Sequence, residues 1–221
     1  MNRRNMILGA FAVLGLGGWF ATSKMGGNST PVSPLASPAN AQTSNVDTSG
    51  VQDMMIGNPD AAVTIIEYAS FTCPHCAAFH AGTFKELKAD YIDTGKINFI
   101  YREVYFDRFG LWASIVARCG GKDKFFGIAD LMYKGQSEWT RAGEPAAIAA
   151  ELTKIGRLAG LDAETLDACL KDAGNAEALV AWEEQNREAD NVTSTPSFLI
   201  NGKQHANMSY NDMKAIIDAA L

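Results

Sequence analysis

The sequence has no long run of charges of one sign, although its formal net charge is −6, and it contains no internal repeat. It also lacks a basic face with interleaved aromatic residues, which a nucleic-acid-binding surface requires. We therefore expect no nucleic-acid partner and attribute the acidic balance to solubility. Cysteine is scarce, with four residues in 221, yet an even number fits two disulfides in an oxidising compartment. A hydrophobic content of 47% is enough for one well-packed core with an embellishment.

Two of the cysteines stand close together, in the motif Cys73-Pro74-His75-Cys76. The motif follows an apolar, β-branched run at residues 63–68 and precedes a helical pattern that starts at Ala77. This strand–turn–helix context is the one that a redox interpretation of the spacing requires. It places Cys73 at a helix N-terminus, where unpaired N–H groups and the helix dipole favour a thiolate. A protonated His75 would add a second positive partner, and the thiolate is the form that reacts with disulfides.

A metal site and a static structural disulfide are the alternative interpretations of this motif. Structural zinc usually takes four ligands in paired clusters. The remaining cysteines, Cys119 and Cys169, stand far apart, and neither has a Cys or His neighbour in sequence. A three-ligand site for a soft metal, made of Cys73, Cys76 and His80, remains open. The sequence favours the redox interpretation.

The segment Phe71-Thr72-Cys73-Pro74-His75-Cys76 resembles the active site of the DsbA-type thiol–disulfide oxidoreductases, members of the thioredoxin-fold superfamily. Three further features match. Glu67 lies six residues before the first cysteine of the motif, where the superfamily carries an acidic residue beneath the second cysteine. Thr195-Pro196 before an apolar strand matches the cis-proline loop, and Asn201-Gly202 resembles the hairpin turn between the last two strands. The resemblance covers roughly residues 51–221 and implies an α/β thioredoxin fold with an inserted all-helical domain.

The hydrophobic pattern predicts the same order of elements. We expect strands at residues 51–56, 63–70 and 97–101, and a helix over 74–92 that is interrupted near Gly82. This β-α-β order predicts a parallel strand pair with a right-handed crossover.

Helical spacing then dominates residues 107–190, including a helix that starts at Asp162 and another over 176–189, and strand signals return only at 197–200. Ser209 with Asp212 predicts the cap of the closing helix. We expect a thioredoxin-fold domain of residues 51–106 and 190–221 and a helical insertion domain of residues 107–189. Five large side chains are expected to build the core of the insertion: Trp112, Phe125, Phe126, Met132 and Trp139.

The N-terminus predicts export. Arg3 and Arg4 precede an apolar segment over residues 6–21 that is free of charge, short for a spanning helix and typical of a secretory signal. Ala39-Asn40-Ala41 is an acceptable cleavage sequence far beyond the apolar run, and Ala21-Thr22-Ser23 is a closer but weaker one. An uncleaved membrane anchor and twin-arginine export are the alternatives. All three place the folded part outside the cytoplasm.

Residues 1–21 are thus expected to be a signal peptide or membrane anchor. Residues 22–50 are rich in Ser, Thr, Pro, Gly and Asn, so they are expected to form a flexible linker or the remainder of the leader. The predicted location is the periplasm, where the protein is either soluble or tethered to the inner membrane by its N-terminal segment.

Roles can be assigned to the motif residues. Cys73 is expected to be the attacked and attacking sulfur, and Cys76 the resolving partner. His75, whose residue type titrates near neutral pH, is expected to tune the Cys73 thiolate rather than to be a mere surface residue. Glu67 is expected to be a buried carboxylate that shuttles a proton for Cys76 through water, as the superfamily analogy implies. An outward-facing strand residue is the plain alternative for Glu67.

Thr195-Pro196 is predicted to hold a cis peptide bond that faces the Cys73 sulfur, with an ordinary trans turn as the alternative. The Thr195 backbone can then pair with an extended substrate as an added strand does. In the wider family the residue before this proline differs between oxidases and isomerases, so the direction of electron flow stays open.

Cys119 and Cys169 are expected to form a structural disulfide. It would close a loop of about 50 residues and stabilise the fold by about 4 kcal/mol through chain entropy. Free buried thiols or a second redox pair are the alternatives. His80 and His205 are expected to be ordinary helix and strand residues.

These features predict an exported DsbA-like thiol–disulfide oxidoreductase that introduces disulfides into secreted or periplasmic proteins. Its substrates would be unfolded or reduced exported proteins, and the resemblance implies regeneration by a quinone-linked membrane protein of the DsbB kind. We expect no bound cofactor, since the cysteines carry the electrons, and a monomer, since no clear dimerisation domain precedes residue 51. A disulfide isomerase or reductase of the same fold is the alternative, and a protein that binds copper or zinc through its thiols is the second.

Overall fold

The computed structural model of the protein describes residues 46–221. The predicted signal peptide or anchor at residues 1–21 and most of the predicted linker at 22–50 lie outside the described residues. Within residues 46–221, no helix is long and apolar enough to span a bilayer.

A mixed β-sheet forms the centre of the fold. Its strands occur in the spatial order β1-β3-β2-β4-β5. Strands β2 and β3 run parallel, as the β-α-β pattern predicts, and the other neighbouring pairs are antiparallel. The strands are β1 (Met54–Gly57), β2 (Val63–Ala69), β3 (Ile97–Glu103), β4 (Ser197–Ile200) and β5 (Lys203–Ala206).

Strand β2 lies in the middle of this sheet and leads into the Cys73 turn. Val63, Ile65 and Tyr68 have no exposed surface, so both faces of the strand are covered. A strand of a parallel pair that is covered on both faces is expected to read as a nearly continuous apolar run, which explains the β-branched sequence. Its carboxyl end therefore emerges from the core at a defined position and orients the active-site turn.

Two strand boundaries differ from the predicted ones by more than one residue. Strand β1 begins at Met54 rather than at residue 51, because Asp53 just before it accepts two N–H bonds from the guanidinium of Arg102 at 2.9 and 3.1 Å. Strand β3 continues past residue 101 to Glu103, because that buried carboxylate pairs with Arg118 at 2.6 Å and tolerates the interior. The prediction placed both boundaries by hydrophobicity and could not anticipate these ion pairs.

Gly57 at the end of β1 has no acceptable substitute. Its φ is +98°, and a Cβ atom there would lie 2.3 Å from the carbonyl oxygen of Ile97. Only glycine combines this backbone conformation with so close an approach.

The predicted helix over 74–92 is interrupted at Gly82, as expected. Helix α1 (Pro74–Ala81) ends there, α2 (Thr83–Leu87) follows, and a π-helical turn occupies Lys88–Ile92. Pro74 stands in the first turn of α1, where its missing N–H costs nothing.

Helices fill the chain between β3 and β4, so the fold is a thioredoxin fold with a helical insertion. These helices are α3 (Arg108–Cys119), α4 (Gly121–Lys134), α5 (Gln136–Trp139), α6 (Pro145–Leu158), α7 (Ala163–Lys171) and α8 (Ala173–Ala189). Helix α9 (Tyr210–Asp218) closes the described chain, with Ser209 as its N-cap. Helix α8 begins three residues earlier than predicted, because the Asp172 side chain caps it by accepting from the Asn175 N–H at 2.9 Å.

One continuous hydrophobic core joins the sheet and the insertion. Phe125 of α4 packs against Tyr101 of β3 with ring centroids 5.5 Å apart, and Met132 and Trp139 are also buried. Trp112 and Phe126 are only partly buried at the edge of this core, so the prediction that they build it was too strong. The domain boundaries at residues 106/107 and 189/190 remain a prediction.

Candidate active site

The motif cysteines lie at the N-terminus of α1, where the carboxyl end of β2 delivers the chain. Cys73 is the N-cap residue, and its N–H donates to the Ser70 carbonyl at 3.1 Å to close the preceding turn. Both cysteines are free thiols in this structure. Cys73 is 7% exposed and Cys76 has no exposed surface, so Cys73 is the more accessible of the two cysteines.

The surroundings of Cys73 stabilise its thiolate and lower its pKa from the ordinary 9.0 to about 5. The largest cause is a hydrogen bond from the Cys76 thiol, which outweighs the opposing effect of burial. The Thr195 side chain lowers this pKa further, and so do the backbone N–H groups of Cys76 and His75 at the helix end. The helix N-terminus therefore acts on this sulfur as the sequence predicts, but a neighbouring thiol contributes more.

His75 is exposed to solvent beside the active-site turn. The contribution of His75 that lowers the pKa of Cys73 is its backbone N–H. Tuning of the thiolate by the imidazole itself remains a prediction.

The buried Cys76 behaves in the opposite way. Burial raises the pKa of its thiol far above the ordinary value, and the hydrogen bond that it donates to Cys73 and the charge of Glu67 add to that effect. Cys76 therefore keeps its proton at neutral pH and uses it to hold the Cys73 thiolate. The same pair of sulfurs thus contains one anion and one hydrogen-bond donor.

Glu67 points into the core beneath these sulfurs and has no exposed surface. Its two carboxylate oxygens lie 2.9 and 3.2 Å from Nε2 of His80 on α1. The prediction of His80 as an ordinary helix residue was wrong, because this ring is buried and paired with the carboxylate. A signal was present in the sequence, since His80 follows Cys76 by four residues and so shares its face of the helix.

The alternative metal site would use Cys73, Cys76 and His80, but the His80 ring is paired with Glu67. Within residues 46–221, no three Cys, His, Asp or Glu side chains form a group that could hold a metal ion.

The Thr195–Pro196 peptide bond is cis and lies beside Cys73. The carbonyl oxygen of Thr195 lies 3.5 Å from the Cys73 sulfur. The Thr195 side-chain oxygen is buried, and no hydrogen-bond partner for it is found in the described part of the chain. His205, which was predicted to be an ordinary strand residue, lies in β5.

The insertion supplies two supports for the active-site turn that the sequence analysis missed. Gln136 at the start of α5 is buried, and its Nε2 donates to the carbonyls of Phe71 at 2.8 Å and Cys73 at 2.9 Å. Thr72 donates through its hydroxyl to Asp107 at 3.0 Å, and Asp107 also caps α3. Neither support has a sequence signal, because each partner is separated from the motif by at least 35 residues.

Cys119 and Cys169 form a disulfide in this structure, with their Cα atoms 6.0 Å apart. The bond joins the last residue of α3 to α7.

The fold and the sulfur geometry together define the class of DsbA-like proteins with a thioredoxin fold. The chain belongs to the thioredoxin family, because the family model described as Thioredoxin matches residues 49–219. A Rickettsia bellii protein named putative protein-disulfide oxidoreductase is 40% identical over 170 residues, which make up 76% of this chain and 64% of that relative. The matched segment spans between 60% and 64% of the length of the Rickettsia relatives.

Two crystal structures show the same architecture. That of alpha-DsbA1 from Wolbachia pipientis has a TM-score of 0.70 and 26% identity, covering 76% of this chain and 90% of that one. That of a protein-disulfide isomerase from Novosphingobium aromaticivorans has a TM-score of 0.68 and 25% identity, covering 75% and 97%.

Proposed function

We propose that this protein is an exported thiol–disulfide oxidoreductase that introduces disulfides into reduced client proteins. The observation that carries the proposal is the polarised pair of sulfurs, in which Cys73 is held as a thiolate while the buried Cys76 stays protonated. A stabilised thiolate is a good leaving group, and a buried thiol about one helical turn further in is suited to reclose the ring.

The reaction proceeds in two exchanges. A client thiolate attacks the Cys73 sulfur of the oxidised protein, forms a mixed disulfide with it and transfers the electron pair of the broken bond to Cys76. A second client thiolate then attacks the client sulfur of that mixed disulfide and releases Cys73 as its thiolate. The client leaves with a disulfide, and the enzyme keeps two electrons as a dithiol.

The stabilised thiolate supports the oxidising direction. Because the reduced protein stabilises the Cys73 thiolate, the reduced state is favoured over the disulfide. The disulfide is therefore a strong oxidant. The cis-proline loop supports client binding, since the Thr195 backbone next to the Cys73 sulfur can pair with an extended peptide.

The cellular setting follows from the same proposal. The clients are reduced exported proteins, and the location is the periplasm, with or without an N-terminal tether. Regeneration requires a membrane partner that accepts the electron pair, of the quinone-linked DsbB kind. The cysteines carry the electrons without a bound cofactor, and the active unit is a monomer. Cell fractionation and cross-linking of a Cys76→Ala variant to its clients and partner test this setting.

Equilibration of the protein with glutathione buffers tests the direction of electron flow. An oxidase reaches half reduction in a far more oxidising buffer than a reductase of the same fold does. Oxidation of a reduced client by wild type, by Cys73→Ser and by Cys76→Ser tests the roles of the sulfurs. We expect Cys73→Ser to be inactive but folded, and Cys76→Ser to accumulate a mixed disulfide at Cys73. Turnover by Cys73→Ser would contradict the assignment.

A disulfide isomerase is the second candidate function, because one of the structural neighbours carries that name. Refolding of a client with scrambled disulfides separates the two functions. An isomerase in its dithiol form restores native pairing, whereas an oxidase acts only in its disulfide form and leaves the scrambled bonds in place.

A further inference from the structure

The exchange reaction proposed above gives no role to His80, a buried titratable side chain. His80 is 5% exposed, lies one turn after Cys76 on α1, and bonds through Nε2 to both oxygens of Glu67. A buried histidine that only filled space would not need a fully buried carboxylate as its partner, because such a pair is costly to bury.

Aromatic rings fix the orientation of the His80 ring. Tyr133 stacks on it with centroids 4.3 Å apart and an interplanar angle of 18°. Phe84 lies against it at 4.5 Å, and Phe79 meets it edge-on at 5.5 Å. The ring therefore cannot turn away from Glu67 without disturbing three neighbours.

A small cleft reaches this ring from the flank of α1. Its volume is about 50 Å³, which exceeds the ~15 Å³ that one water molecule requires. Besides His80, the small or aromatic side chains of Ala77, Ala81 and Tyr133 and the charged side chains of Lys85, Asp130 and Lys134 line it. The cleft thus connects the buried pair to solvent.

Cys76 needs such a connection. When the disulfide opens, the electron pair passes to the Cys76 sulfur, which takes up a proton because burial raises the pKa of its thiol. Cys76 has no exposed surface, so it cannot draw that proton directly from bulk water. The Glu67 carboxylate is near enough for its charge to act on this sulfur.

We propose that His80 is a positioning residue that relays protons between solvent in the cleft and Glu67, and through Glu67 supplies the proton that Cys76 takes when the disulfide opens. The proposal rests on the proposed exchange at Cys73. As the client sulfur bonds to Cys73 and the Cys73–Cys76 bond breaks, one proton passes from Glu67 to Cys76. His80 returns a proton to Glu67, and water in the cleft restores the proton on His80. Reoxidation by the membrane partner reverses the sequence.

Titratable and charged groups face His80 from each of the elements packed against it. The titratable and charged groups that face His80 are Glu67 from β2, Tyr101 from β3, Lys85 from α2, Asp130, Tyr133 and Lys134 from α4, and Cys76 from α1. Burial raises the pKa values of Tyr101, Tyr133 and Cys76 well above neutrality. Asp130 and Lys134 form an ion pair with each other at 2.5 Å. Histidine is the side chain that titrates in the physiological range.

The test measures how fast reduced glutathione opens the disulfide of the oxidised protein, as a function of pH. His80→Phe keeps an aromatic ring against Tyr133 but cannot carry a proton. We expect it to slow opening at neutral pH by at least about tenfold and to flatten the pH profile around neutrality. Alkylation of Cys73 in the reduced variant should keep its wild-type rate. A wild-type opening rate in His80→Phe would overturn the relay.

Two further variants separate a relay from a packing effect. In His80→Ala, imidazole added to the solution can enter through the cleft and should restore the opening rate; absence of rescue counts against the relay. The double variant Glu67→Gln/His80→Phe removes the carboxylate that His80→Phe leaves unpaired. It stays slow if protons travel through the pair, and it recovers if an unpaired buried charge alone caused the loss.

These outcomes are distinct from a failure of the proposed function. If glutathione does not open the wild-type disulfide at all, the exchange reaction is wrong and the relay falls with it. If the wild type reacts and His80→Phe reacts equally well, only the relay is wrong.

Discussion

The Cys73 sulfur lies 3.5 Å from the carbonyl oxygen of Thr195, although 122 residues separate them in the chain. The cis-proline loop at the start of β4 therefore forms one wall of the active site, and the helix N-terminus forms the other. In the proposed exchange, a client peptide bonded to Cys73 lies against this wall.

Thr195→Val tests the hydroxyl that faces Cys73. Valine has nearly the same shape but cannot donate a hydrogen bond to the thiolate. We expect the pKa of Cys73 to rise by about 1, since a hydrogen bond to a charged group contributes roughly 1.5 kcal/mol or more. Alkylation rate against pH measures it, with Thr193→Val, an exposed threonine of the same loop, as the matched control. An unchanged titration would show that the hydroxyl does not reach the sulfur.

The stability of the reduced protein should depend on pH through Cys73. Its pKa falls from 9.0 in the ordinary thiol to about 5 in the folded protein, so between these values the unfolded state binds more protons. Stability from this group is therefore fully present above pH 9 and is lost as the pH falls through about 5. Denaturant unfolding of the reduced protein at pH values above and below about 5 measures this contribution. Cys73→Ser should lack this pH-dependent contribution to stability. If the free energy of unfolding changed equally with pH in both proteins, the assignment would be contradicted.

Gln136→Leu tests the support of the active-site turn by the insertion. The substitution leaves the buried carbonyls of Phe71 and Cys73 without their donor. We expect a loss of about 2 kcal/mol in the free energy of unfolding and slower client oxidation, because the turn is no longer held.

Gln136→Glu is the matched variant for this prediction. An ionised carboxylate of the same size cannot donate, so the loss should persist at neutral pH and shrink in acid, where the protonated acid donates one bond. Equal stability of Gln136→Glu and wild type at neutral pH would show that the two hydrogen bonds do not support the turn.

Removal of the second disulfide should affect stability far more than chemistry. The bond between Cys119 and Cys169 closes a loop of 50 residues, so Cys119→Ala/Cys169→Ala should lose about 4 kcal/mol by chain entropy. Urea unfolding measures the loss, and the alkylation profile of Cys73 should stay as in the wild type. A changed Cys73 profile would instead reveal coupling between the two sulfur pairs.

Much of the fold could be predicted from local sequence. The apolar, β-branched run before the motif and the helical pattern after it predict a strand, a turn and a helix, and the structure has the strand at Val63–Ala69 and the helix at Pro74–Ala81. Asn201-Gly202 likewise predicts the two-residue turn between β4 and β5, because both residues adopt positive φ. These features depend on residues that are neighbours in the chain.

Strand ends were predicted less well, and the reason is electrostatic. Glu103 continues β3 although a hydrophobic pattern stops before it, since Arg118 from α3 neutralises it in the interior. Such a partner becomes visible only when the helix is packed against the sheet. The hydrophobic pattern therefore indicates that a strand exists and leaves its last residues to tertiary contacts.

The sequence by itself determined which chemistry this protein can carry, because two cysteines at this spacing at the start of a helix suffice to define a dithiol centre. Tertiary structure decided which groups control that centre. The Thr195 loop beside Cys73, the Gln136 amide behind the turn and the buried pairing of Glu67 with His80 each bring together segments that no local pattern links. Hydrogen bonds and charges act over a few ångströms in space, and only the packed core determines which distant residues come that close.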